Sequence, residues 1–447
     1  MNVIGLDIGT TTICGVALDG ESGEIRRTVT LPNDSFLAGK PFEKLQSPER
    51  ILKKVTALCE ELCAAYEPIA IGVSGQMHGI VYLNAAGEAV SPLYIWQDES
   101  ADQPCGGTTY AAELTERTGH KMASGFGGST YYYHVCNDLV PADAVCFCTI
   151  HDYVAMTLAG RTEPLVHASD AASFGLFDLK NRRFDATAIE KSGLNAQLFP
   201  RVTASFQVLG SYRGAAVCTA VGDNQASFLG SMKTPEQGVL VNMGTGGQVS
   251  FLCPKGTQPA GMELRPLNDD KNIAVGCSLC GGRAFAALAA FFADCCQMIT
   301  GEEPRNVYAA MDRALAAQTE PLTDELRVRT TLCGTRDDPS LRGEIQNLGI
   351  DNFTPLALMN GFLDGMVEEL LTMTKDAGCQ ASFLVGSGNG LRKNLPLQQR
   401  FSRALNLPMH IPRHREEAAF GAALTALTAC GVKQSLTQAA ELIQYEA

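Results

Sequence analysis

The chain has 447 residues, with 35 basic and 48 acidic side chains, a formal net charge of −13 and 45% hydrophobic residues. This length and composition exclude a disordered chain and allow two or three domains that each bury a core. The acidic balance argues against nucleic acid as the main partner, because neutralising phosphates requires a basic face. It still permits a small anion held by backbone amides.

The N-terminal sequence and the cysteines indicate the compartment. No basic segment followed by an apolar run begins the chain, so no signal peptide is predicted. The longest apolar stretch, 284–293, is too short to cross a bilayer and ends at Asp294. The 16 cysteines are expected to be reduced thiols, and Cys277 with Cys280 forms a lone C-x-x-C that lacks the second pair of a zinc site. We therefore expect a cytoplasmic protein with no membrane partner.

The first half begins with a hairpin. Two β-rich runs, 3–8 and 12–18, flank the turn Gly9-Thr10-Thr11, and a third strand is predicted at 25–31. Apolar residues at helical spacing then predict a helix over 48–66. A strand at 69–73 follows, and its order after the helix indicates an α/β architecture.

The second half repeats this hairpin at residues 239–249. Asn242, Gly244 and Thr245 lie 235 positions after Asp7, Gly9 and Thr10, which indicates an internal duplication. Helices are predicted at 284–298, 356–375, 394–405 and 416–430, with strands at 382–385 and 409–411. We expect two similar domains, residues 1–213 and 214–447, on either side of a shared cleft.

Three glycine turns suit phosphate binding. Each follows a hydrophobic strand, and each exposes backbone N–H groups that an anion can approach closely: 9–11, 244–246 and 386–388. The chain has neither a P-loop nor a three-glycine dinucleotide fingerprint. We expect amides, hydroxyls and a metal ion, rather than Lys and Arg, to hold a triphosphate.

Two aspartates fit the chemistry of phosphoryl transfer. Asp7 precedes the first turn, where a carboxylate beside a triphosphate is favoured if Mg²⁺ lies between them. Asp223 follows a predicted strand at 217–221 and could accept the proton of an attacking hydroxyl. From its position alone, Asp223 could equally be a helix N-cap.

Taken together, these segments resemble the FGGY family of carbohydrate kinases over nearly the whole chain. The motifs that carry the resemblance are 5–11, Ser74-Gly75-Gln76-Met77-His78-Gly79, Trp96-Gln97-Asp98, Gly222-Asp223-Asn224-Gln225, 242–247, 385–391 and 417–423. Three segments, Trp96-Gln97-Asp98, Gly125-Phe126-Gly127 and Ile150-His151-Asp152-Tyr153, are most similar to family members that act on the ketose sedoheptulose. Two segments depart from the common pattern, namely Thr130–Tyr133, where relatives carry a Lys, and the Gly-Ser-Gly-Asn of the third turn.

The resemblance implies two RNase H-like domains of the actin and hexokinase superfamily around a deep catalytic cleft. Asp223 would be the catalytic base, and Mg²⁺ would lie at Asp7 and Asp223. ATP would be held by Asp7, Gly9, Thr10, Thr11, Gly244, Thr245, Gly246, Gly386, Ser387, Gly388 and Asn389. The sugar would be held by Gln76, Met77, His78, Trp96, Asp98, Asp223 and Asn224.

The implied reaction is transfer of the γ-phosphoryl of ATP to a primary hydroxyl of a ketose, with sedoheptulose favoured and sedoheptulose 7-phosphate as product. Xylulose or ribulose is the alternative acceptor. An alternative from another class is an actin-like ATPase switch, which would share the phosphate turns but lack the sugar loops. The sequence leaves the oligomeric state open, with a homodimer as one alternative.

Overall fold

The structure is a computed structural model that describes residues 1–318, 325–335 and 338–446. Its strands are β1 (Asn2–Ile8), β2 (Thr12–Asp19), β3 (Ile25–Pro32), β4 (Phe36–Leu37), β5 (Leu45–Gln46), β6 (Ala70–Gly75), β7 (Val81–Leu83), β8 (Leu93–Tyr94), β9 (Pro104–Cys105), β10 (Thr108–Thr109), β11 (Cys146–Cys148), β12 (Leu165–His167), β13 (Phe177–Asp178), β14 (Arg183–Phe184), β15 (Arg201–Thr203), β16 (Val208–Tyr212), β17 (Ala215–Cys218), β18 (Val221–Gly222), β19 (Gly238–Met243), β20 (Gly247–Pro254), β21 (Glu263–Pro266), β22 (Lys271–Ser278), β23 (Arg327–Arg329), β24 (Glu344–Gln346), β25 (Phe383–Ser387) and β26 (Met409–His410). Its α-helices are α1 (Pro48–Tyr66), α2 (Tyr110–Thr118), α3 (Gly127–Cys136), α4 (Ile150–Leu158), α5 (Ala168–Ser173), α6 (Ala186–Ser192), α7 (Asp223–Ser231), α8 (Gly281–Thr300), α9 (Val307–Ala316), α10 (Pro355–Asp376), α11 (Asn389–Arg392), α12 (Leu395–Leu405), α13 (Glu417–Ala429) and α14 (Leu436–Ala440).

Two mixed sheets with the same internal arrangement organise the chain. The first has the order β16-β17-β6-β1-β2-β3, with β18 also pairing with β6, and the second has the order β21-β22-β20-β19-β25-β26. In each sheet a hairpin, β1–β2 or β19–β20, lies beside a parallel strand, β6 or β25. The α/β class is therefore confirmed, and the repeated arrangement agrees with the predicted duplication.

Helix α1 shows how the sequence determines one of these elements. Ser47 is its N-cap and accepts a hydrogen bond from the amide of Arg50, and Pro48 occupies the first turn, where a missing N–H costs nothing. Its buried face, which includes Ile51, Val55 and Leu58, packs into the first core with β2. The predicted helix over 48–66 is confirmed.

Helix α13, near the end of the chain, packs against the first sheet and against α7. A Cβ at Gly5 or Gly72 would lie 1.8 Å from a carbonyl oxygen of α13, that of Ala419 or Ala422 respectively. These strands can therefore approach the helix only because they carry glycine there. The predicted division at residues 213 and 214 stays a prediction, since β17 and β18, which lie beyond it, pair with β6.

Helix α7 follows β18 of the first sheet and packs against the second sheet. Its residues Phe228 and Leu229 pack against Leu240, Ile273 and Val275 of the second sheet. Since Asp223 is the first residue of this helix, the packing fixes that carboxylate between the sheets.

Helix α8 confirms the helix predicted at 284–298 and extends it at both ends, from Gly281 to Thr300. It therefore continues past Asp294, where the apolar stretch was expected to end. Among the described helices, it alone is long and apolar enough to cross a membrane by length and composition, a test that packed helices of other proteins also pass. Ala284, Phe285 and Leu288 of this helix are buried in the second core.

Candidate active site

The first glycine turn lies between β1 and β2. The Gly9 amide donates to the carbonyl of Thr12 at 2.9 Å, and the carbonyl of Gly9 accepts from the side chain of buried Asn33 at 2.9 Å. The Asn33 amide also donates to the carbonyl of Thr11. Asn33 thus fixes the turn, while the Thr11 side chain faces solvent.

Asp7 and Asp223 lie at the carboxyl ends of strands in the first sheet. Strands β1, β6 and β18 run parallel, with Asp7 beside Ser74 and with Gly222 beside Gly75. Asp223 immediately follows β18, so both carboxylates emerge at one edge of the sheet. The Ser74 hydroxyl donates to Oδ1 of Asp7 at 3.1 Å.

Burial raises the pKa of both carboxyl groups above the usual value for aspartate. Burial, together with the nearby charge of Asp223, raises the pKa of Asp7 to about 7. Burial also raises the pKa of Asp223, against the lowering effect of His151 and Arg265. The alternative of Asp223 as an N-cap is wrong, because Gly222 occupies that position. The carboxylate is therefore not committed to capping the helix.

A buried ion pair between His151 and Asp170 lies beneath Asp7 and Asp223. The sequence indicated His151 only as part of the segment at 150–153. Nε2 of His151 is 3.0 Å from Oδ1 of Asp170, and both side chains are fully buried. A Cβ at Gly75 or Gly222 would come within 2.9 Å of His151 or Asp170 respectively, so glycine is needed at both positions. Burial opposes the charged imidazole, but Asp170 outweighs it and raises the pKa of His151 to about 9.

Asp152 completes this buried cluster. Its Oδ2 accepts from the hydroxyl of Thr149 at 2.6 Å, while burial and Asp170 raise its pKa to about 7. The ligand atoms of His151, Asp152 and Asp170 lie within 4.8 Å of one another, close enough to hold a metal ion. The His151–Asp170 pair already balances one of the two negative charges. The signal for this cluster was the His-Asp pair in the sequence, to which no site role was assigned.

The sugar-loop residue His78 is held in a strained conformation. Its φ is 73°, in the left-handed region that non-glycine residues rarely adopt. Its amide donates to the Ser173 hydroxyl at 3.0 Å, its Nδ1 lies 2.9 Å from the Ser173 carbonyl oxygen, and its ring stacks on Phe126 at 4.8 Å. Met77, next to it, packs against Gly222. The loop is therefore fixed next to Asp223.

A hydrogen-bond chain joins the predicted sugar residues to the first glycine turn. Half-exposed Trp96 donates from Nε1 to the hydroxyl of Thr10 at 3.0 Å, and this hydroxyl donates to Oε1 of Gln76 at 3.1 Å. Gln76 in turn donates to Oε1 of buried Gln46 at 2.9 Å, and Gln46 donates to the Thr10 carbonyl. Gln46 was not predicted as a site residue, because it is part of no sequence motif.

Asp98 shapes the neighbouring loop. It is 1% exposed, and its two oxygens accept from the amides of Lys44 and Ser100 at 3.0 Å each. A sugar contact by Asp98 stays a prediction, as do the sugar contacts of Gln76, Met77 and Asn224.

The second glycine turn lines a cavity of about 520 Å³. The start of α8 is docked onto it, because the amides of Gly282 and Arg283 donate to the carbonyls of Gly244 and Thr245 at 2.9 and 3.1 Å. Gly244 and Thr245 are exposed to the cavity. The residues lining the cavity are Asn242, Gly244, Thr245, Gly246, Gly247, Gln248, Cys277, Ser278, Leu279, Arg283 and Cys333.

The third glycine turn adjoins the second. Gly388 has φ 79°, and a Cβ on it would lie 2.6 Å from the carbonyl oxygen of Met243. Asn389 is exposed beside it, whereas Gly386 and Ser387 are buried. The structure thus brings the predicted second and third segments together. It also amends the expectation of a phosphate site without cations, because Arg283 lines the same cavity.

The cysteines are all free thiols. Cys280 of the C-x-x-C motif has its sulfur 3.8 Å from that of Cys333, while Cys277 faces Gln248.

A repeated α/β fold with paired carboxylates between glycine turns has the architecture of a phosphotransferase. The sequence profile of the FGGY family of carbohydrate kinases, N-terminal domain, matches residues 2–230, and the chain belongs to this family. The predicted family and the assignment as a sugar kinase are therefore confirmed, and the actin-like switch is not supported.

Individual relatives agree with this assignment. The chain is similar to a sedoheptulokinase of Mus musculus, with 28% identity over 95% of this chain and 97% of that protein. It is also similar to a xylulose kinase of Streptomyces coelicolor, with 27% identity over 95% of this chain and 87% of that protein. The crystal structure of a xylulose kinase from Rhodospirillum rubrum shares the fold with a TM-score of 0.84, at 20% identity, covering 100% of this chain and 93% of that one. The predicted two-domain fold is thereby confirmed.

Proposed function

We propose that this protein is an ATP-dependent ketose kinase that converts sedoheptulose to sedoheptulose 7-phosphate. The observation that carries the proposal is the position of Asp223. It is a half-buried carboxylate, beside Asp7 and the strained His78 loop, on a helix that packs against the sheet bearing the second glycine turn. An acceptor hydroxyl at the sugar loop and a phosphate at the glycine turn would therefore meet at Asp223.

The reaction assigns one role to each group. Asp223 orients the primary hydroxyl of the sugar and accepts its proton, which its raised pKa favours. The hydroxyl oxygen forms a bond to the γ-phosphorus while the bond to the β-phosphate oxygen breaks, releasing ADP. The backbone amides and hydroxyls of Thr10, Thr11, Gly244 and Thr245 stabilise the charge on the equatorial oxygens.

The carboxylate pair fits a bound Mg²⁺. Carbohydrate kinases of this family use ATP, generally with Mg²⁺. Asp7 and Asp223 offer the oxygen donors that Mg²⁺ prefers, and the cost of ionising Asp7 in this buried position would be repaid by a cation. When bound there, the ion would neutralise phosphate charge.

The nucleotide and sugar would occupy opposite sides of Asp223. ATP is assigned to the cavity of Gly244, Thr245 and Gly246 with the third turn at 386–389. The sugar is assigned to Gln76, Met77, His78, Trp96, Asp98 and Asn224. The exposed ring of Trp96 supplies an apolar wall, and its hydrogen bond to Thr10 couples the sugar loop to the phosphate turn.

The choice of sedoheptulose over a pentulose rests on the relatives. The sedoheptulokinases of mouse and human align over 97% of their own length, whereas the xylulose kinase of Streptomyces coelicolor aligns over 87%. The identities, 28% and 27%, are close. Sugars that differ by one hydroxyl are separated only by particular hydrogen bonds, so the acceptor must be measured.

The test is ADP release with sedoheptulose, xylulose and ribulose, with ATP and Mg²⁺ present and with a sugar-free control. We expect the highest kcat/KM for sedoheptulose and negligible turnover without sugar. A higher kcat/KM for another ketose would overturn the sedoheptulose assignment but keep the kinase. Equal ADP release with and without every sugar would overturn the ketose kinase itself.

A further inference from the structure

Arg265 places a positive charge on the face of the second sheet that meets α7. It lies on edge strand β21, paired with Ile273 of β22, and Ile273 packs against α7. The Arg265 side chain is only 12% exposed. A buried arginine requires a partner, and its surroundings indicate which groups it serves.

The start of α7 is bonded directly to the strand that carries Arg265. Nε2 of Gln225 donates to the carbonyl of Pro266, the next residue after Arg265, at 3.0 Å. Since Gln225 is two residues after Asp223, this bond holds the guanidinium in the neighbourhood of the carboxylate. The charge of Arg265 accordingly lowers the pKa of Asp223, against the effect of burial.

The nucleotide cavity lies on the other side of Arg265. Cys277, which lines the cavity, lies on β22 on the same face of the sheet as Ile273, the strand partner of Arg265. Arg265 therefore lies between Asp223 and the cavity of the second glycine turn.

Glu263 fixes the orientation of the guanidinium. Nε and Nη2 of Arg265 donate to the two carboxylate oxygens of Glu263 at 2.9 and 3.2 Å. These bonds use two of the five N–H donors of the guanidinium. Within the described part of the chain, the structure shows no protein acceptor for the other three. A fixed fork with free donors is suited to phosphate oxygens.

We propose that Arg265 is a further catalytic residue, which contacts the phosphoryl group as it passes from ATP to the sugar hydroxyl beside Asp223. The inference rests on the proposed kinase activity and on the position of Asp223, but neither on the role of Asp223 as base nor on which ketose is the acceptor. In this step the bond between the β-phosphate oxygen and the γ-phosphorus breaks as the new bond to the sugar oxygen forms. Arg265 forms no covalent bond and gives up no proton. It stabilises the negative charge on the oxygens of the phosphoryl group during the transfer.

The test compares Arg265→Met and Arg265→Lys with the wild type, using the ketose that the wild-type enzyme phosphorylates best. We expect Arg265→Met to lower kcat by roughly 100-fold to 1,000-fold, with KM for ketose and ATP changed only a few-fold. Arg265→Lys keeps the charge without the fork, so its kcat should lie between the two. Added guanidinium should restore part of the activity of Arg265→Ala, which a purely structural loss would not allow.

A matched control is Arg400→Met. Arg400 is also held by a carboxylate and is similarly shielded, since its Nε donates to Asp364 at 2.7 Å and its side chain is 17% exposed. We expect its kcat to equal that of the wild type. Unchanged melting temperatures for the Arg265 variants would show that they fold.

Two results would overturn the proposal. One is a wild-type kcat in Arg265→Met, and the other is a rise in KM for the ketose alone, which would make Arg265 a sugar contact. Asp223→Asn separates the two ideas. If it keeps its activity while Arg265→Met loses it, the assignment of Asp223 as base fails and that of Arg265 stands.

Discussion

Asp7 is predicted to make the metal-free protein less stable as the pH rises. Burial and the charge of Asp223 raise its pKa to about 7. A carboxyl group whose folded-state pKa is above its unfolded value stabilises the fold when protonated, and this contribution is lost as pH rises toward the folded-state pKa. At about 1.4 kcal/mol per pH unit, the ionised form costs at most about 4 kcal/mol above neutrality. Asp7→Asn removes this cost while eliminating a ligand of the proposed Mg²⁺ site.

The stability advantage of Asp7→Asn should therefore increase by up to about 2.5 kcal/mol between pH 5 and pH 8. This difference in the free energy of unfolding can be measured by urea denaturation in the presence of a metal chelator. Trp96 fluorescence monitors the unfolding, because Trp96 is the only Trp and lies in the first half of the chain. Asp19→Asn is the matched control, since its hydrogen bond from Arg26 holds the pKa of Asp19 low and the variant should lose stability at high pH. An advantage that does not change with pH would refute the reasoning.

Three further predictions test the site and its support. Asp223→Asn should lower the rate of phosphoryl transfer by orders of magnitude, while calorimetry should still detect ATP binding. Near-normal turnover would contradict the assignment of Asp223 as base. Gly72→Ala should destabilise the protein by about 3 kcal/mol, measured by thermal denaturation, because its Cβ would lie 1.8 Å from the Ala422 carbonyl oxygen. The control Gly349→Ala should leave the stability nearly unchanged, because that site is open. His151→Gln should move the acidic limb of the kcat/KM profile to higher pH, because the His151 charge lowers the pKa of Asp223 against burial, and an unmoved limb would exclude that influence.

The repeated hairpins could be predicted because their signal is local. A hydrophobic run, a Gly-Thr turn and a second run require only neighbouring residues, and the same device at Asp7 and Asn242 revealed the duplication. The helix over 48–66 was equally accessible, since capping by Ser47 and apolar spacing both lie within it. The sugar loop was indicated only by the resemblance to the family, and its sugar contacts, like the role of Asp223, stay predictions.

The supporting residues could not be predicted because their partners are distant in sequence. Gln46 is 30 residues from Gln76, and Asp170 is 19 residues from His151. Nothing in the local pattern distinguishes these side chains from ordinary polar residues. The same holds for the glycines that face α13, since Gly5 reveals its purpose only when a helix more than 400 residues later lies on it.

Net charge proved a poor guide to the local field of the site. A total of −13 made amides, hydroxyls and a metal ion the expected holders of a triphosphate. Yet Arg283 lines the cavity of the second glycine turn, which we propose binds ATP, and Glu263 orients Arg265 on the neighbouring edge strand. Field strength at a reacting group depends on the few charges within several ångströms, because solvent screens those farther away. Exposed Arg283 and the oriented Arg265 could thus dominate the field at the proposed phosphate site of a chain with a net charge of −13.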